Sequence, residues 1–145
     1  MGVEATQKDV QETFDYLYAE AAKVMELGGS FAPFGAATRQ NGERTHVNVD
    51  LPIERSTPND HISGLIMGFR KEAEAGRIFI AGLAFDGKVA IGGEQREALV
   101  VHVEHDKGEG VQIFVPYERM EDGKKLRFGA PILQPINPEI FSLPG

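Results

Sequence analysis

The chain has 145 residues, no cysteine and a formal net charge of −7. That length fits one domain able to bury roughly 68–70% of its unfolded surface without staples. The missing cysteine excludes disulfides, thiolate nucleophiles and Cys-ligated zinc or iron–sulfur sites, and agrees with a reducing, cytoplasmic setting. The scattered lysines and arginines exclude the basic stripe of a nucleic-acid binder, and no apolar run approaches the roughly 20 residues of a membrane span.

The first predicted helix runs from about Thr6 to Leu27. Thr6 with Asp9 is similar to a capping box, and Val10, Phe14, Leu17, Ala21, Val24 and Met25 recur at helical spacing. Gly28-Gly29 supplies a left-handed C-cap. A hairpin follows. Asn41-Gly42 reads as a two-residue type I′ turn, which pairs Gln40 with Glu43, Ala36 with Val47, Phe34 with Val49 and Ala32 with Leu51. The opposite face then holds Gly35, Ala37, Arg39, Arg44, His46, Asn48 and Asp50.

Ser56-Thr57-Pro58-Asn59-Asp60 opens a second helix, with Ser56 or Thr57 as cap and Pro58 at its first position. Ile62, Leu65, Ile66, Phe69 and Ala73 form its apolar stripe, and Gly76 ends it. Gly64 and Gly68, one turn apart, cost helix propensity and predict close packing against the sheet. Ile78 to Phe85, apolar on both alternating faces, predicts a strand covered on both sides. Asp86-Gly87-Lys88 reads as a turn and Gly92 to Glu97 as a polar connector. Asp106-Lys107-Gly108 closes a second hairpin as a three-residue loop with Gly108 at the left-handed position. Its register pairs Val103 with Val111, Val101 with Ile113 and Leu99 with Val115. The other face sets Val100 beside Phe114, His102 beside Gln112 and Glu104 beside Gly110. Glu121-Asp122-Gly123 turns the chain into a last strand, Lys125 to Phe128. Residues 129–145, with Pro131, Pro135, Pro138 and Pro144, read as an extended tail lying on the domain.

These elements predict a single α+β domain over residues 1–145. It is a two-layer sandwich of mostly antiparallel sheet with two helices on one face, in the order α-β-β-α-β-β-β-β.

Phe31-Ala32-Pro33-Phe34-Gly35-Ala36-Ala37 followed by Asn41-Gly42 resembles the first hairpin of cytidine-deaminase-type enzymes. Their zinc site needs cysteines, and the next helix here reads Asp60-His61-Ile62-Ser63-Gly64, so that activity is rejected. Phe31-Ala32-Pro33-Phe34, Val103-Glu104-His105-Asp106-Lys107-Gly108 and Phe114-Val115-Pro116-Tyr117 together are similar to small uncharacterised bacterial α+β proteins. That resemblance implies no catalytic residue. The element order also resembles roadblock and profilin-like modules, an analogy of fold alone.

Two His/carboxylate pairs are the candidate catalytic residues, His46 with Asp50 and His102 with Glu104, because even spacing on a strand puts each pair on one face. They suit acid–base work. The plainer reading is a polar, solvated sheet face, on which replacing His46 and His102 by glutamine costs about 0.5 kcal/mol or less. His105 reads as exposed at a hairpin tip and His61 as a surface residue near a helix start. No spacing suggests a phosphate loop, a calcium loop or a zinc site, so no metal or cofactor is expected.

The expected function is therefore a non-enzymatic binding or protein-interaction module. A small enzyme using a His/carboxylate pair and a small-ligand carrier are the alternatives. Val100 and Phe114, apolar on an otherwise polar face, are interface candidates. The tail is expected to cover part of that face and a homodimer contact the rest.

Overall fold

The computed structural model describes residues 2–28, 30–52, 55–108, 110–120 and 126–141, with side chains from Thr6 onward. Gly29 of the expected helix cap, the turn at Glu121-Asp122-Gly123, Lys125 and the tail beyond Phe141 lie outside the described residues. Helix α1 spans Gly2–Glu26 and β1 and β2 span Phe34–Arg39 and Arg44–Asn48. Helix α2 spans Pro58–Glu74. Strands β3, β4 and β5 are Ile78–Ile91, Glu94–His105 and Gly110–Arg119, and β6 and β7 are Leu126–Phe128 and Ile132–Pro135. The class is α+β and the order is the expected one, with the tail adding the short strand β7.

Every strand pairing is antiparallel, in the order β2-β1-β3-β4-β5-β6, with β7 also on β5. β6 lies against Tyr117–Arg119 and β7 against Val111–Phe114. Gly129 N donates to Pro116 O between them (2.7 Å). The tail is thus an edge strand, broken near Pro131, where the amide hydrogen is missing.

The helices do not share a face. Cross-strand partners point the same way, and Ala36 partners Gly82 while Gly35 partners Leu83. A Cβ on Gly82 would sit 2.9 Å from Leu17 of α1, and one on Gly35 would sit 2.8 Å from the Phe69 ring of α2. Helix α1 therefore covers the face of Phe34, Ala36, Ile80, Val101 and Ile113, and α2 covers that of Ala37, Ala81 and Leu83. The two-layer arrangement is corrected to three layers. The reason is visible in β3, whose two-sided apolar run needs cover on both sides.

The first hairpin is shifted by one residue from its predicted register. Gly35 partners Val47 and Ala36 partners His46. The loop holds three residues: Arg39 N donates to Glu43 O and Gly42 N to Arg39 O, both at 2.8 Å. Only Gly42 takes a positive φ (+92°), and no described non-glycine residue does. A type I′ turn would force Asn41 into that region. The paired positive φ values occur instead at Gly92 (+59°) and Gly93 (+85°), where two glycines accept them without a Cβ penalty. They join β3 to β4, so Asp86–Lys88 and Glu94–Glu97 lie within strands and not in a turn and connector.

The local signals at α2 and at the second hairpin hold. Thr57 caps α2 in a capping box with Asp60, and Gly76 leaves the helix at φ +71°. Helix α1 begins before Thr6, which is buried and not a cap. The second hairpin has its predicted register, with Val103 opposite Val111 and Val101 opposite Ile113. Val101 and Ile113 are buried, while Val47 and Val49 are half-buried.

Candidate functional site

His102 and Glu104 are not on a solvated face. They stand on β4, on the side of α2, at 4% and 0% exposure. After β7 the chain turns at Ile136, whose N–H donates to Gly110 O (3.1 Å), and residues up to Phe141 cross this face. Glu104 Oε1 accepts from the N–H groups of Glu139, Ile140 and Phe141 at 2.9, 2.8 and 3.2 Å. Oε2 accepts from Glu139 N–H at 2.9 Å and from His102 Nε2 at 2.5 Å. Burial pushes the Glu104 carboxyl up, but His102 and the backbone donors outweigh it and hold the group below its ordinary value. The carboxylate is ionised, so Nε2 of His102 carries the proton. Arg70 of α2 donates to Glu139 O and ties down the same turn. Ile140 and Phe141 then pack with Leu65, Phe69, Ala81 and Leu83.

The sequence signal for this clasp was the even spacing of His102 and Glu104. What lay beyond sequence reading was the tail's route, because backbone donors have no residue signature. His102 lines a polar cleft of about 590 Å³ with Gln112, Asn137 and Glu139.

The other candidate pair is not assembled. The one-residue register shift puts His46 on the α1 face, opposite to His102. His46 Nδ1 lies 2.9 Å from Tyr16 Oη, and the ring stacks on Phe34 at 5.1 Å. Asp50 is exposed, beyond the end of β2. His105, expected at an exposed tip, is buried, with Nε2 3.1 Å from Asp9 of α1 and Nδ1 accepting from Lys107 N–H. His61 is also buried, its Nε2 2.9 Å from Ser56 Oγ, which donates to Pro52 O. Both histidines pin loops to helices. Val100 is 3% exposed and Phe114 half-buried, so the interface candidates do not present an open patch.

The sequence drew attention to Gly64 and Gly68, and both line a groove of about 460 Å³ between α2 and β2. A Cβ on Gly64 would sit 3.1 Å from Val49, whereas one on Gly68 would meet nothing within 4 Å. The groove is therefore pinched at Gly64 and open at Gly68. Ala37, Val47, Val49, Leu65, Phe69 and Ile78 make it apolar, and Arg39 and Glu72 stand at its rim. A second apolar groove, about 700 Å³, runs between α1 and the β5–β7 edge, past Val10, Phe14, Ile113 and Leu133.

No family model matches the chain, and no curated protein or solved structure matches it. No helix of the described residues is long and apolar enough to cross a membrane.

Proposed function

We propose that this chain is a cytoplasmic binding module that works as a homodimer and seats an apolar segment of a protein partner in the groove between α2 and β2. The observation that carries this reading is the open space beside Gly68 above the Val47, Phe69 and Ile78 side chains. Apolar lining with few polar groups at the rim is the usual make-up of a recognition groove. Glycine at a helix position otherwise costs about 0.5–1 kcal/mol relative to alanine, and here it keeps a wall low. The His/carboxylate alternative loses support because both oxygens of Glu104 are taken up by protein donors.

Selection of phage-displayed random peptides on the purified chain tests the reading. Selected peptides should carry alternating apolar residues and shift the backbone amide resonances of Val47, Val49, Gly64 and Gly68. Gly68→Leu, which fills the open end, should abolish binding. Peptides that shift only the α1 groove, or no enrichment over a blank surface, would reject it.

A further inference from the structure

Strand β2 ends the sheet, and among the described residues nothing pairs with its outer edge. Which of its backbone groups face outward follows from the turn. Arg39 N donates to Glu43 O, so residues 39 and 43 form a hydrogen-bonded pair. Such pairs alternate along an antiparallel ladder. Thr45 and Val47 therefore point their N–H and C=O groups at β1, opposite Ala37 and Gly35. Arg44, His46 and Asn48 point theirs away from the sheet.

Proteins guard such edges with charges, proline or bulges. Within β2 the one charged residue is Arg44, at the first position; Thr45-His46-Val47-Asn48 has no proline and no charge, and the ladder to β1 is regular. The outward groups at residues 44, 46 and 48 are symmetric about His46. Two antiparallel copies centred there pair Arg44 with Asn48 of the partner subunit and His46 with His46 of the partner subunit. That register makes about six backbone hydrogen bonds. On the α2 face it sets Thr45 against Val47 of the partner subunit, a favourable cross-strand combination.

We infer that a second copy of this chain pairs with β2 across a two-fold axis through His46, and that the ligand groove is completed by the dimer. The inference rests on the groove as the binding site. A two-fold axis normal to the sheet leaves each face on its own side, so both α2 helices flank one trough. Its floor is Thr45, Val47 and Val49 from each copy, and its walls are the two glycine-lined helix sides. A monomer offers one wall; the second wall comes from the partner, as an isologous contact requires.

Sedimentation of the full-length chain at about 1–100 µM decides the matter. The wild type should be a dimer at tens of micromolar. His46→Pro removes the outward N–H without touching the β1 ladder and should raise the dimer dissociation constant about 100-fold. His46→Ala, which loses only the side chain, should stay dimeric. In the wild type, amide exchange at His46 and Asn48 should slow with rising concentration, a readout that needs no substitution. A monomer at about 100 µM, or a His46→Pro dimer as tight as the wild type, overturns the inference. Gly68→Leu should abolish peptide binding and leave the dimer intact, so failure of the dimer and failure of the groove are read separately.

Discussion

Replacing Glu104 with glutamine probes the most heavily bonded side chain among the described residues. The carboxylate is 0% exposed and accepts from His102 and from three successive backbone amides. Glutamine keeps the shape and one acceptor oxygen, but its NH₂ group then faces the N–H groups of His102 and Glu139. The His102 bond becomes a donor–donor contact and Glu139 N–H keeps only its bond to the retained oxygen, so two charge-assisted bonds are lost. At about 1.5–3 kcal/mol for each bond to a charged group, the expected loss is about 3–6 kcal/mol. That is a large share of a typical domain stability of roughly 5–15 kcal/mol. Urea melts at neutral pH measure it, and hydrogen exchange at Glu139, Ile140 and Phe141 reports the freed tail.

The acid limb adds an independent check. Because the folded-state pKa of Glu104 is depressed, its stabilisation is complete above the ordinary glutamate value of about 4.3 and is lost as the pH falls through a lower value. The gap between wild type and Glu104→Gln should therefore be constant near neutrality and close below about pH 4. A neutral-pH difference under about 0.5 kcal/mol, or a gap that stays open in acid, would refute the clasp.

Three further substitutions test the packing. Gly35→Ala and Gly82→Ala place a Cβ 2.7 Å and 2.9 Å from backbone oxygens of Gly82 and His102, so each should cost about 1–3 kcal/mol in a urea melt. Gly68→Ala meets open space and should be neutral or stabilising by up to about 1 kcal/mol. Tyr117 donates its hydroxyl to Asp86 at 2.7 Å. Burial, then the Asp86 bond and charge, push its phenol far above the usual range, so in a spectrophotometric alkaline titration it should ionise after Tyr16 and Tyr18.

The sequence made the local punctuation legible. The Thr57–Asp60 cap, Gly76, Gly108 and the register of the second hairpin all follow from glycine freedom and capping chemistry, which act within a few residues. Layering is only half encoded in Ile78–Phe85, because a two-sided apolar strand states that both faces are covered without stating by which helix. The route of the tail was not legible, since Glu104 is satisfied by backbone amides that any residue carries.

The first hairpin shows how much of the site hangs on one residue of register. Asn41-Gly42 fits two turns, and the sequence alone ranks the two-residue type I′ form first. The chain takes the three-residue form because only Gly42 then needs a positive φ and Asn41 Oδ1 can accept from Glu43 N–H at 2.9 Å. That choice rotates every β2 side chain to the other face. Val47 and Val49 leave the α1 side and become the floor of the α2 groove, and His46 leaves the side of His102 for Tyr16 and Phe34. A polar face shared by His46 and His102 and a groove beside Gly68 are thus alternative outcomes of one turn, and the negative φ of Asn41, with its contact to Glu43 N–H, goes with the groove.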